Sequence, residues 1–277
     1  MAAIEQAEIV RLGPDDAPAG LLLSTEAHWN QNEADWRFFL TQGEVFGMRD
    51  DAGRLIASAA LLPYSSGNAW ISMVLVTESC RRRGLATRLV DTCLAAAAKQ
   101  RLTTWLDATP AGATVYGPLG FMPTLQLRRL RLEHAISTKA EAPPSLSPCG
   151  IAEFVARDAN AMGFERGALL GQLSARPGSR LWSSSGAAAL IRDGRKARHI
   201  GPLLSNRPDE ALELVNEIVR SGTGPLLIDT VHEQAEFLQA LTRSGWKIER
   251  PFQRMRFGRT PTQTAGLPFA VAGPEFG

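Results

Sequence analysis

Hydrophobic positions along this chain switch between a helical spacing of three to four residues and a strand spacing of two, and the switches mark its elements. Helical spacing runs through "DAPAGLLLSTEAHW" and "NEADWRFFLTQG", the second ended by Gly43. "EVFGMRDDAGRLIASAALLPY" reads as a hairpin, two strands joined by a turn at Asp51, Ala52 and Gly53. "NAWISMVLV" is a further apolar, partly β-branched strand that runs straight into the basic loop "SCRRRG". In residues 85–99, Leu85, Leu89, Cys93 and Ala96 fall on one helical face. "TTWLDA" is a short strand, "GATVYGPLGF" a short helix stopped by Gly120, and "TLQLRRLRLE" alternates like an edge strand. Helices, hairpin, then strand–loop–helix–strand–helix–strand predict an α/β fold with one mixed sheet of the α+β kind.

The pattern then returns. "GAAALIRDGRKARHIGPLL" predicts a hairpin turning at Asp193 and Gly194, and "DEALELVNEIVRSG" a helix closed by Gly222. "PLLIDTV" is a strand, "EQAEFLQALTRSGW" a helix and "FQRMRFG" a last strand. Between the halves, "HAISTKAEAPPSLSPCG" has three prolines and little periodicity, as linkers do. Two diverged copies are expected: a domain over residues 1–136, a linker over 137–150 and a second domain over 151–277.

Composition changes this picture little. The 277 residues suffice for two modest domains with cores of their own, and 44% hydrophobic with 21% charged residues is ordinary. A net charge of +2 is too small to argue for general nucleic-acid binding, so local basic clusters matter more than the total. Cys80, Cys93 and Cys149 lack CxxC spacing, which fits a reduced compartment. "MAAIEQAEIV" has no basic flank and carries Glu5 and Glu8, unlike a signal peptide, and no apolar run approaches bilayer length. A soluble, cytoplasmic protein with neither nucleic-acid nor membrane partner is expected. His28, His134, His199 and His232 show no ligand-like pairing, so no metal is expected.

The arginine loop carries the chemistry. A strand feeding a short loop and a helix gathers free backbone N–H groups at a positive dipole end, where phosphate sits well. Gly84 lets a ligand approach the backbone, Ala86 keeps the next contact small, and Arg81, Arg82 and Arg83 offer charge-assisted hydrogen bonds. Neither a GxxxxGK[ST] loop nor a GxGxxG loop is present. From the residues alone, a phosphate cradle and a solvated basic turn stand about level.

"VLVTESCRRRGLATRLV" resembles motif A of the GNAT superfamily of N-acetyltransferases, whose loop reads [RQ]xxGx[GA], here Arg81, Gly84 and Ala86. "YGPLGF", residues 116–121, matches the family's Y-x-x-x-G-F element after the expected helix and strand. Glu78 departs from the proline many members carry before the loop. The resemblance covers roughly residues 8–133, and the second half resembles the degenerate domain of tandem GNAT proteins. It implies acetyl-CoA as co-substrate, with the pyrophosphate on the amides of Arg82, Arg83, Gly84, Leu85, Ala86 and Thr87. It also implies the pantetheine arm along the backbone of Val74 and Val76, and Tyr116 as the acid that protonates the leaving thiolate. The acceptor would be the primary amine of a small molecule or peptide.

The base stays open among Asp107, Glu26, His28, Glu33 and Asp35. Cys93 reads as core, Cys80 as a remote alternative nucleophile, and "RRLRLEH" as a solvated basic face. Trp29 and Trp36 suit a substrate groove or the core. A coenzyme-binding sensor without turnover and a nucleic-acid protein using the arginine loop are the rival classes. In the second half, aligning Leu241 with Tyr116 places Asp209 on Gly84 and puts Pro208, Asp209 and Glu210 where phosphate should sit. One coenzyme per chain is therefore expected.

Overall fold

The computed structural model describes residues 7–135, 146–184, 186–259 and 266–277. Most of the predicted linker, residues 137–145, lies outside them. The elements of the first half are β1 (Ile9–Arg11), α1 (Ala17–Glu26), α2 (Glu33–Gln42), β2 (Glu44–Arg49), β3 (Leu55–Tyr64), β4 (Asn68–Val76), α3 (Leu85–Lys99), β5 (Thr103–Ala108), α4 (Pro110–Tyr116) and β6 (Met122–Ala135). The second half holds β7 (Ser147–Pro148), α5 (Ile151–Met162), α6 (Gly167–Ser174), β8 (Arg180–Ser184), β9 (Ala187–Arg192), β10 (Arg198–Leu204), α7 (Pro208–Arg220), β11 (Gly224–Val231), α8 (Ala235–Arg243) and β12 (Lys247–Phe257).

Local chemistry sets the boundaries. Asn32 caps α2 by accepting the Asp35 N–H at 3.1 Å, while the Asp35 carboxylate accepts the Asn32 N–H at 2.9 Å. Gly43 ends that helix, as expected. The α3 stripe buries Leu85, Leu89, Val90 and Cys93 against the sheet together with Met48, Ile71 and Leu106.

All the strands belong to one sheet of twelve, in the order β1-β2-β3-β4-β5-β12-β6-β11-β10-β9-β8-β7. The last strand of each half has crossed to the other: β12 pairs with β5, and β6 pairs with β11. Residues 124–133 were expected at an edge, yet β6 is central, paired with β12 on one side and β11 on the other. Periodicity could not show this, because both edges are taken up by a partner from another half of the chain. The exchange is sealed twice by the same pair of residues. Arg254 on β12 faces Asp107 on β5, and Arg129 on β6 faces Asp229 on β11, each through two hydrogen bonds of 2.7–2.8 Å. Arg129 is 4% exposed, which corrects the reading of "RRLRLEH" as a solvated face.

Within each half one parallel pair meets over three residues and then separates. β4 pairs with β5 from Asn68↔Thr103 to Trp70↔Trp105, and β10 with β11 from Arg198↔Leu226 to Ile200↔Ile228. A bulge at Met73 (φ 51°) shifts the β3–β4 register and turns β4 as the first gap opens. The second gap is filled by residues 266–277. Leu203 donates to the Ala270 carbonyl and Phe269 to Leu203, both at 2.9 Å, while on the β11 side Val271 donates to Asp229 at 3.0 Å. A Cβ at Gly201 would stand 2.0 Å from the Val271 carbonyl oxygen, so only glycine admits this segment. The segment then continues into the first half, where Phe276 stacks on Phe39 at 5.1 Å and Trp70 Nε1 donates to the Pro274 carbonyl at 3.0 Å. No backbone segment among the described residues bridges the gap between β4 and β5.

Candidate active site

Two features meet at the open gap. The first is the loop between β4 and α3. Arg82 (φ 62°) and Gly84 (φ 75°) both adopt the left-handed region, and Gly84 caps α3 without a side chain. The amides of residues 82–87 donate to no acceptor among the described residues. A Cβ at Gly84 would meet no atom within 4 Å, so the space before the helix is open. Arg81 and Arg82 are exposed, and Arg81 Nε donates to the Val76 carbonyl at 3.2 Å, folding the loop back on the strand. Thr77 N–H bonds to Ile56 on β3, so strand alternation turns the backbone of Val76 toward the gap. Val74 lines the pocket below it.

The second feature is a cavity of about 90 Å³ that passes from the α4 side of the sheet to the side covered by residues 266–277. Tyr116 enters it from α4, where Gly112 lets the ring lie against the helix turn: a Cβ there would stand 2.9 Å from the ring. Burial pushes the Tyr116 phenol up to about 12, so it keeps its proton at neutral pH. This widens the gap to a thiol that an ordinary phenol would show. From the opposite side come Trp29, Gln31 and Glu275, and from β12 come Arg250 and Phe252.

Two carboxylates line the cavity, and burial raises both. Asp107 has both oxygens held by Arg254. Glu275 accepts one bond of 3.1 Å from Arg192, through Oε1. The other carboxylates considered for a base are otherwise engaged. Glu26 accepts from Thr77 and the Glu78 amide, which lowers its pKa; Glu33 pairs with Arg37; Asp35 caps α2 and pairs with Arg176. Trp36 is fully buried and donates to Ser24, so only Trp29 reaches the pocket. Cys93 is core, and Cys80 is buried.

Comparison with known proteins decides the family. The "Acetyltransferase (GNAT) family" model matches residues 15–121, and the "Acetyltransferase (GNAT) domain" model matches residues 155–270. The chain belongs to the GNAT acetyltransferases, with two GNAT domains in tandem. It is an acyltransferase by family. It is 23% identical over 248 residues to the uncharacterized N-acetyltransferase YitH of Bacillus subtilis, covering 86% of this chain and 87% of that one. In fold it is similar to a putative acetyltransferase from Pyrococcus horikoshii (TM-score 0.80, 18% identity, 97% and 95% of the two chains). It is also similar to a tandem GNAT protein from the clavulanic acid biosynthesis pathway, solved without AcCoA (TM-score 0.64, 14% identity, 92% and 99%). No helix among the described residues is long and apolar enough to cross a membrane, and no cluster of His, Cys, Asp and Glu there could hold a metal ion.

The second GNAT domain repeats the frame with different residues at the corresponding positions. Leu241 stands where Tyr116 does: each carbonyl accepts the amide five residues on at 3.2 Å, across Gly120 (φ 94°) and Gly245 (φ 93°). At the loop the spacing shifts by two residues. The counterpart of the cap Gly84 is Arg207, the cap of α7, and not Asp209. Arg207 is tied to Asp209 in an ion pair, and Pro208 has no N–H to offer. Sequence reasoning missed Arg129, Arg250, Phe252 and Glu275 as pocket residues, because each reaches it only through the exchanged strands or the segment that crosses the second gap.

Proposed function

We propose that this GNAT protein transfers an acetyl group from acetyl-CoA to the primary amine of a small acceptor, by direct attack, in the first domain. The observation that carries the reading is the single open gap between β4 and β5, with an amide cradle at one end and a two-sided pocket at the other. The residues suit the co-substrate: the amides of residues 82–87 and Arg81, Arg82 and Arg83 would hold its pyrophosphate, and Val74 and Val76 its arm. When bound it supplies the acetyl thioester. Tyr116 then donates a hydrogen bond at the sulfur, and its proton follows as the thiolate leaves. We assign collection of the ammonium proton to Glu275, since burial raises it and one of its oxygens is without a hydrogen bond among the described residues.

The test is release of free thiol from acetyl-CoA against a panel of amines. Tyr116→Phe keeps the ring and removes the hydroxyl, so turnover should fall by about 10²–10⁴-fold while acetyl-CoA still binds. Turnover within about twofold of the parent, with chemistry rate-limiting, returns Tyr116 to a packing role. Tight acetyl-CoA binding without thiol release for any amine would favour a sensor.

A further inference from the structure

The pocket holds one cation, Arg250, that no carboxylate among the described residues meets within ion-pair distance. Its other ionisable groups come in pairs: Asp107 with Arg254, Arg129 with Asp229 and Glu275 with Arg192. Arg250 lines the same cavity from β12, and its Nε is buried without a hydrogen-bond partner among the described residues. No carboxylate stands within ion-pair distance of it there, and Glu249, its neighbour on the strand, is exposed. Its guanidinium rests 5.5 Å over the Phe252 ring. Burial and the nearby Arg129 push its pKa down, while the carboxylates of Glu249, Asp229 and Glu275 oppose that shift. Two more buried polar atoms without partners line the cavity, Gln31 Oε1 and Ser72 Oγ. The rest of the wall is largely apolar, with Ile71, Met73 and Leu106.

We propose that the acceptor is a small amino-carboxylate with an apolar body, its carboxylate seated on Arg250. This rests on the acetyl-transfer reading above and adds the class of substrate. The charge count selects it. One unpaired guanidinium matches one negative charge and can meet a carboxylate at two points. A phosphate dianion would leave excess negative charge beside Asp107 and Glu275. The ammonium end finds Gln31 Oε1 and Glu275, both acceptors, and the apolar walls take the body. A plain amine would leave the buried Arg250 Nε without a partner.

Leucine, methionine and 5-aminovalerate, each beside its own amide, test the assignment, because the amide keeps the body and removes the carboxylate charge; 5-aminovalerate, whose amine is far from the carbonyl, controls for the lower ammonium pKa of the α-amino amides. Thiol release should give kcat/KM at least tenfold higher for an acid than for its amide, and calorimetry should show tighter binding of that acid. Arg250→Gln should bring the acid-to-amide ratio to within about twofold of one, and Arg250→Lys should keep part of the preference. Acids no better than amides by both measurements, or a preference that survives Arg250→Gln, overturns the proposal. The two readings separate cleanly. Acid-selective binding with no transfer to any amine supports the carboxylate seat and counts against acetyl transfer; transfer to acids and amides alike does the reverse.

Discussion

Gly84→Asp is the sharpest probe of the cradle, since its effects on fold and on ligand can be separated. The position is left-handed (φ 75°), where a non-glycine residue costs about 1–2 kcal/mol, and Asp is among the residues that tolerate it best. A Cβ there meets no protein atom within 4 Å, so nothing else opposes the folded state. The ligand side is different. The new side chain enters the space before α3, and its charge faces the pyrophosphate where six amides and three arginines would otherwise converge. Losing two charge-assisted hydrogen bonds costs about 3–6 kcal/mol, which is about 10²–10⁴-fold in affinity. Calorimetry with acetyl-CoA measures it, with Gly84→Ala as the control that adds the Cβ without charge. Gly84→Ala should lose less than Gly84→Asp, and both should melt within a few degrees of the parent. A folded Gly84→Asp protein with unchanged acetyl-CoA affinity refutes the cradle.

Titration with acetyl-CoA should give one site per chain, lost entirely in Gly84→Asp; a second site surviving that change would mean the gap at β10 and β11 still binds. Asp229→Asn leaves the Arg129 guanidinium buried beside a neutral partner, and chemical denaturation should report a loss of about 3–5 kcal/mol. His199 Nε2 donates to the Asp229 carboxylate at 2.9 Å, its Nδ1 is buried without a partner among the described residues, and burial beside Arg192 and Arg129 lowers it to about 4. A histidine depressed in the folded state holds its full contribution above its unfolded pKa near 6.5 and loses it as pH falls toward 4, by up to about 3 kcal/mol. Subtracting the stability curve of His199→Asn from that of the parent should expose this acid limb; a flat difference between pH 6.5 and 4 refutes it.

The sequence carries most of the first domain's elements, because their signals are local; it missed β1 and set the short helix too late, since α4 starts at Pro110 and ends at Tyr116. Leu85–Lys99 begins after a glycine and keeps a clean apolar stripe, and Thr103–Ala108 is a short apolar run between turns. The loop and Tyr116 were legible for the same reason: they depend on a few neighbouring residues. What stayed hidden is non-local. β6 alternates as an edge strand would, and nothing in residues 122–135 says that two strands from about 90 or more residues away flank it. α5 was overlooked although residues 151–162 are amphipathic, and α6 is short with Gly167 and Gly171 inside it. "FAVAGPEFG" looks like an unstructured end, yet Val271, Ala272 and Phe276 are fully buried, since the cores they fill belong to other elements.

The tandem arrangement follows from how the two copies diverged around one shared device. Arg254 with Asp107 and Arg129 with Asp229 are the same cross-strand pair related by the internal repeat, so the two gaps share a wall of the same kind. In the second copy the wall is covered: Val271 bonds to the Asp229 backbone, and His199 takes the free edge of its carboxylate. In the first copy Asp107 still faces a cavity. The segment that closes the one continues into the other, where Pro274 and Glu275 become its wall, and the exchange of β12 brings Arg250 and Phe252 beside them. Removing residues 266–277 would therefore not restore a second coenzyme site, because Arg207, Pro208 and Leu241 still lack the cradle and the acid. It would strip the first site of Glu275 and expose Phe39 and Trp70. The second half of the chain thus supplies part of the wall of the first domain's pocket, through Arg250 and Phe252 on β12 and through Pro274 and Glu275.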